Sequence, residues 1–358
     1  MRTFIIAEAG VNHNGDVELA RQLVDRAAES GADAVKFQLF DTSRLVSRSA
    51  SKAEYQIRET GSAGNQAEML RALELSNEAH RELMVRAASR GIQYLSSPFD
   101  SGSLRVLVEE LGITTVKVAS GEITNAPFLF EVAKLAHHII LSTGMSTMDD
   151  VEHALGVLAF GIILPEERDP SEAAFAECFA NPGCRARLEG RVTLLHCTSE
   201  YPALMADVNL RAMDALMQRF QLPVGYSDHT SGIHVAIAAA ARGACVIEKH
   251  LTLDRSMPGP DHSSSLIPSE FSAMSACIRD IEAALGDGTK RPMEGELKTR
   301  ELVRKSLMAA GSIRAGETFY PENIHCKRPG TGFSPFRYWE MLGRKARRDY
   351  KPDDFLAE

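Results

Sequence analysis

The chain has 358 residues, 44% of them hydrophobic and 25% charged, with a formal net charge of −8. This is the composition of a soluble globular enzyme, long enough for one large α/β domain plus a smaller one. The acidic balance argues against a nucleic-acid partner or an anionic membrane surface, but it leaves room for a locally basic pocket.

The N-terminus, MRTFIIAEAG, opens directly on a strand, with no basic leader and no long apolar core. No stretch approaches the roughly 18 apolar residues of a membrane span. None of the six cysteines forms a C-x-x-C pair. They read as reduced thiols of a cytoplasmic protein.

Short apolar runs then alternate with amphipathic segments. Strands are predicted at 4–9, 34–38, 93–96, 115–118, 139–142, 193–196, 224–226 and 245–248. Helical patterns follow at 17–30, 77–90, 102–111, 127–134, 148–158, 210–220, 233–242 and 268–285. Eight strand–helix repeats predict an α/β fold of the (β/α)8 TIM-barrel type over residues 1–285. A doubly wound open sheet is the alternative, but it would carry a Gly-rich phosphate turn after the first strand, and there is none.

Two long segments interrupt the alternation. Residues 41–75, with Lys52, Tyr55 and Gln66, separate the second strand from its helix and read as a polar lid or substrate loop. Residues 161–190 enter from the helix end, away from the usual active-site face, which predicts a structural or oligomeric role. A charged linker spans 286–304. The turns RAGE, PEN and RPGTG beyond it predict a small β-rich domain over 305–358.

Barrel enzymes place their chemistry at the C-terminal ends of the strands. Here those ends carry Glu8 with Asn12–His13–Asn14, Lys36 to Gln38, Ser97 to Phe99, Lys117 with Ser120 and Glu122, and Ser142. The later ends carry Ser199 and Tyr201, then Ser227 to His229, then Glu248 to His250. Lys36 and Lys117 each end an apolar strand, where an ammonium is rarely buried alone. They form either an anion site with Ser142, Ser227 and Ser199, or ion pairs to Glu8 or Glu122. His229 and His250 end neighbouring strands, about 4.8 Å apart in a sheet, so they are candidates to share one metal. Oxygen-rich surroundings favour Mn²⁺ or Mg²⁺ over a closed zinc site. A hydrogen-bonded core histidine is the plainer alternative for each. Asp261, in a Pro/Gly loop after the last strand, reads as a turn former or as an acceptor for substrate hydroxyls.

Ten motifs in one order then carry a resemblance: AEAGVNHNG, AVKFQ, SSPFD, KVASGEITN, LSTGM, LLHCTSEYP, GYSDHT, EKHLTLD, GPDH and KRPGTG. Over nearly its whole length the sequence resembles the sialic acid synthase family of bacterial nonulosonate synthases. It is most similar to the legionaminate-producing group, whose motifs some N-acetylneuraminate synthases share. The resemblance implies a TIM barrel followed by an antifreeze-like (SAF) domain. The implied reaction condenses phosphoenolpyruvate with an N-acyl mannosamine-type sugar and releases phosphate. It also implies a homodimer with exchanged SAF domains.

By the same resemblance, Lys36, Lys117, Ser120, Ser142, Ser199 and Ser227 hold phosphoenolpyruvate, with Lys36, Lys117 and Glu122 as catalytic groups. Asn12, Asn14, Gln38, Phe99, Tyr201, Asp261 and Arg328 face the sugar. His229 and His250 hold the metal, with Mn²⁺ expected and Mg²⁺ or Co²⁺ as alternatives. Asn14 and Ser199 depart from residues that relatives carry there, which alters those contacts. The competing readings are another phosphoenolpyruvate–aldose synthase, a pseudaminate synthase, a metal-dependent barrel hydrolase, and a carbohydrate- or ice-binding protein with a decayed barrel.

Overall fold

The computed structural model describes residues 2–47, 50–54, 56–57, 61, 64–163 and 169–357. Tyr55 therefore lies outside the described residues. The chain divides into two compact units, Met1–Gly286 and Asp287–Glu358.

The first unit contains eight strands: β1 Phe4–Gly10, β2 Ala34–Leu39, β3 Gln93–Pro98, β4 Thr115–Val118, β5 His138–Ser142, β6 Val192–Cys197, β7 Val224–Asp228 and β8 Val246–His250. All ladders are parallel and run in the order β3-β2-β1-β8-β7-β6-β5-β4. The two ends of this order, β3 and β4, lie side by side, so the sheet closes on itself. The strands fall where the apolar runs predicted them, because a parallel strand covered on both faces reads as a continuous apolar run.

The helices between them start at side-chain caps. Asp16 caps Val17–Glu29, Ser76 caps Asn77–Ser89 and Asn125 caps Ala126–Leu135, each accepting hydrogen bonds from first-turn N–H groups. The pattern at 102–111 forms a short α-helix, Ser101–Arg105, that widens into a π-turn, Val106–Glu110. Helix Met148–Ile163 runs past its predicted end at 158. Gly161 does not stop it. A Cβ there would lie 2.7 Å from Ala133 Cβ and 3.1 Å from Phe130 O, so this glycine serves close helix–helix packing.

The described part of the 161–190 segment extends the outer helix layer. Helix Glu172–Ala180 packs on Met148–Ile163, with Phe175 edge-on to Phe160 at 5.3 Å and Phe179 edge-on to Phe220 at 6.3 Å.

The second unit begins with helix Glu294–Val303 in the predicted linker. Strands β9 Ser306–Ala309 and β10 Ile324–Lys327 pair antiparallel. Elsewhere the predicted short strands are reduced to single bridges, such as Ile313 with Tyr350 and Thr318 with Lys345. This unit has its own core, centred on Leu307, Ile313, Phe319, Ile324 and Leu356.

Candidate active site

Strand parity organises the barrel interior. Ile6, Ala34, Leu95, Ile140, Leu195 and Val246 form one apolar layer that closes the barrel from below. Side chains on one face recur every second residue. The next inward positions on those strands are Glu8, Lys36, Ser97, Ser142, Cys197 and Glu248, joined by Lys117 from β4 and Ser227 from β7. All but Glu248 line a single cavity of about 480 Å³ at the C-terminal end of the strands, and Glu248 lies beneath it, paired with lining residues. The next positions up are Gln38, Phe99, Ser199, His229 and His250, which line the same cavity.

Both lysines are buried and both have carboxylate partners. Lys36 Nζ lies 2.6 Å from Glu8 Oε1 and 3.4 Å from Glu248 Oε2. Lys117 Nζ lies 3.4 Å from Glu248 Oε1. Lys36 thus takes the ion-pair alternative with Glu8, while still lining the cavity. Ser227 Oγ donates to Glu248 Oε1 at 2.8 Å. Burial pushes the Glu8 carboxyl up, but Lys36, His250 and Lys117 together hold it well below the usual carboxylate range. For Lys117 burial acts downward and is outweighed by Glu248, Glu8 and Cys197, so its pKa is raised. The Glu8 carboxylate and the Lys117 ammonium on the floor are therefore held in their charged forms.

Hydroxyls converge beside it. Ser142 Oγ is buried without a hydrogen-bond partner. Ser120 Oγ lies 3.2 Å from Cys197 Sγ and accepts from Gly144 N at 3.1 Å. At Gly144 a Cβ would sit 2.3 Å from Ser199 Oγ and 2.7 Å from Ser120 Oγ, so only glycine admits this convergence.

The imidazoles of His229 and His250 are 5.6 Å apart between ring centroids, and the Tyr201 ring lies 4.3 Å from His229 and 5.7 Å from His250. His229 Nδ1 is held by Thr198 O at 2.6 Å, which leaves Nε2 with only Ser227 Oγ at 3.4 Å. His250 Nδ1 is buried without a hydrogen bond, 4.0 Å from Asp261 Oδ2, and His250 Nε2 is 3.4 Å from Glu8 Oε2. Burial, then the neighbouring His250, lower the His229 pKa to about 3, so its ring is neutral, as a ligand must be. Burial also raises the Asp261 carboxyl. These donors fit a divalent ion: one ring is oriented by a backbone carbonyl and the other presents an unused buried nitrogen. Among the described residues no group of three or more His, Cys, Asp or Glu is arranged to hold a metal.

Twelve of the residues singled out in the sequence line the cavity: Lys36, Gln38, Phe99, Lys117, Ser120, Ser142, Ser199, Tyr201, Ser227, His229, His250 and Asp261. Others are placed differently. Asn12 is buried and spends its amide on Leu251 O and Ser265 Oγ, both at 2.9 Å. Asn14 has φ +52° and donates to Pro258 O at 2.8 Å, the behaviour of a turn residue. Glu122 sits just past the lining residues Ser120 and Gly121, with its carboxylate accepting from Asn125 at 2.7 Å. Arg328 lies exposed in the second unit. Glu8 appeared in the sequence as a strand-end residue and ion-pair candidate, Glu248 only as a strand-end residue, and Cys197 only among the six reduced thiols. Counting two residues up from the apolar layer is the signal that finds all three.

The NeuB family model matches residues 23–290, and an SAF domain model matches 304–358. The chain belongs to the NeuB family. It is 47% identical to the N,N'-diacetyllegionaminic acid synthase of Campylobacter jejuni, over 100% of this chain and 99% of that one. The enzyme of the same name from Legionella pneumophila is 45% identical, over 96% of this chain and 90% of that one. Among solved structures, the N-acetylneuraminic acid synthetase of Leptospira borgpetersenii superposes with a TM-score of 0.64 at 30% identity, covering 84% of this chain and 90% of that one.

Proposed function

We propose that this protein is a nonulosonic acid synthase that condenses phosphoenolpyruvate with an N-acyl mannosamine-type sugar and releases phosphate. The proposed sugar is the 2,4-diacetamido-2,4,6-trideoxy analogue of N-acetylmannosamine, giving N,N'-diacetyllegionaminate, as in the two similar synthases. The observation that carries the reading is the single cavity in which two buried lysines, an unpartnered serine hydroxyl and a pair of imidazoles converge.

In this reading Lys36 and Lys117, with Ser120, Ser142, Ser199 and Ser227, hold the phosphate and carboxylate of phosphoenolpyruvate on the barrel floor. His229 and His250 would hold a divalent ion, Mn²⁺ by ligand type, which when bound supplies Lewis-acid polarisation of the sugar aldehyde. Enolpyruvate C3 bonds to the aldehyde carbon, and the aldehyde oxygen takes up a proton to become a hydroxyl. Water adds to C2 and gives up a proton. The C2–O bond to phosphate then breaks as the C2 hydroxyl gives its proton to the departing phosphate, leaving the α-keto acid and inorganic phosphate. The lysines offset the charge on the departing phosphate, where preorganised cations are most effective. Glu122 was the sequence candidate for proton transfer. Glu8 replaces it in this reading because it is ionised, lines the cavity and lies beside His250.

Gln38, Phe99, Tyr201 and Asp261 face the sugar. Asn12 and Asn14 support that side of the mouth from behind. By family resemblance the enzyme works in the cytoplasm as a homodimer with exchanged SAF domains, and the partner subunit's Arg328 reaches the sugar.

The test is phosphate release from phosphoenolpyruvate with Mn²⁺, using N-acetylmannosamine and its 2,4-diacetamido-6-deoxy analogue in parallel. Release with the analogue at the higher kcat/KM is expected. No release with either sugar would overturn the proposal.

A further inference from the structure

The cavity has two unlike walls. Its floor is ionic, as described above. The wall supplied by the described residues of 45–73 contains Leu45, Met69 and Leu70, half-buried, and Leu73, buried. These four pack into one apolar cluster with Val11, Phe40 and Phe99. Among the described residues, the polar side chains this segment sends to the lining are two primary amides, Gln56 and Gln66, with Gln66 Nε2 3.4 Å from Gln56 Oε1. Among the described residues it places no charged side chain on the cavity.

A hexose with free hydroxyls is poorly matched to such a wall, because a hydroxyl pressed against leucine loses its hydrogen bonds to water. An acetamido group suits it better. Its methyl takes the apolar surface, and its N–H and C=O suit an amide side chain, which both donates and accepts. A methyl in place of a hydroxymethyl gains on the same surface. The reaction also fixes which end of the sugar arrives here. The aldehyde carbon must meet enolpyruvate on the floor, so C4 to C6 face the remaining wall.

We propose that Leu45, Met69, Leu70 and Leu73, with Gln56 and Gln66, form the subsite that selects the sugar's distal end, accepting an acylamino group at C4 and a methyl at C6 in place of hydroxyls. The inference rests on the condensation reaction proposed above. It assigns specificity to a segment that the sequence presented as a polar loop.

The experiment compares kcat/KM for the diacetamido-deoxy sugar and for N-acetylmannosamine in the full-length wild type, Leu70→Asn and Gln66→Leu. For Leu70→Asn the ratio of the two values is expected to fall by about tenfold or more, the scale of one methyl-sized contact. For Gln66→Leu the diacetamido sugar is expected to lose about tenfold more than N-acetylmannosamine does. The KM for phosphoenolpyruvate should stay within about twofold of wild type in both. Wild-type melting behaviour establishes that each variant is folded, and Gln66→Leu, which adds apolar surface at a half-buried position, keeps the test open if Leu70→Asn does not fold. A folded variant that loses both sugars equally, or that leaves the ratio unchanged, overturns the subsite. A wild type inactive with both sugars overturns the reaction instead.

Discussion

Strands β7 and β8 carry two registered pairs one residue apart, on opposite faces of the barrel wall. Ser227 and Glu248 point inward, and Asp228 and Lys249 point outward. The outer pair is fully buried and its polar atoms are engaged. Lys249 Nζ lies 2.9 Å from Asp228 Oδ2 and also donates to Thr230 O. Asp228 Oδ1 accepts from Thr230 N at 2.9 Å and Thr230 Oγ1 at 2.8 Å. The inner carboxylate is equally buried, yet Glu248 spreads over Lys36, Lys117 and Ser227 and leaves Oε2 without a hydrogen bond. Burial pushes Lys249 down against Asp228, whereas Lys117 ends up raised. Equal burial thus conceals two uses. The outer network is closed and ties together the strand ends that carry His229 and His250. The inner one keeps capacity for a ligand.

The largest expected effects separate these uses directly. Lys117→Ala should lower phosphate release by about a thousandfold or more while the protein stays folded, the scale of removing a preorganised charge from a reacting group. Near-normal turnover would remove Lys117 from the reaction. Lys249→Ala should behave in the opposite way. It strands Asp228 as a buried unpaired charge and should cost about 3–5 kcal/mol of unfolding free energy by denaturant titration. If Lys249→Ala is as stable as wild type, the outer pair is not the structural element described above.

A finer comparison uses charge removal without a change of shape. Glu248→Gln keeps an acceptor for Ser227 but removes a carboxylate that raises the Lys117 pKa. The loss of kcat/KM at neutral pH should be about tenfold. The alkaline limb of the pH–rate profile should move to lower pH, because Lys117 would then deprotonate sooner. Asp228→Asn should leave that limb in place and appear only in stability. Coincident profiles for Glu248→Gln and wild type would show that Lys117 does not depend on Glu248.

The division between faces also explains what the sequence could reveal. The strand ends were legible because apolar runs stop at Glu8, Lys36, Lys117 and His250. Which face each residue occupies was not, because both faces of a parallel barrel sheet are buried and no polar alternation marks the interior. Ser227 and Asp228 are therefore indistinguishable by hydropathy, and Glu248 looks no more functional than Lys249. Beyond the strands, parity lapses. Asn12 and Asn14 sit in a turn whose direction depends on a left-handed residue, and Glu122 sits in a 3-10 turn. The apolar wall from 45–73 was hidden for a different reason. Its four apolar side chains are scattered along a polar segment and become one surface only against Val11, Phe40 and Phe99.

The smallest effect concerns acid stability, and it too should belong to the outer face. His80 is fully buried outside the barrel wall, with Nδ1 2.5 Å from Tyr94 OH, and burial lowers its pKa to about 3. His13, equally buried, is lowered to about 4, chiefly by burial. Unfolding returns each ring to a pKa near 6.5. The unfolded chain therefore takes up these protons first as pH falls. Their contribution is fully present above about pH 6.5 and is lost progressively down to the folded values. Each histidine should account for about 2 kcal/mol of the loss between pH 7 and pH 5. His80→Gln should flatten that slope in denaturant titrations, even if it lowers stability at pH 7. Ser227→Ala, on the inner face, should leave the slope as in wild type. An unchanged slope in His80→Gln would remove His80 from the acid sensitivity, and the inner carboxylates do not replace it between pH 7 and pH 5. Glu8 contributes to acid stability only below the ordinary carboxylate range, its share being lost from about pH 4.3 down through its depressed folded pKa.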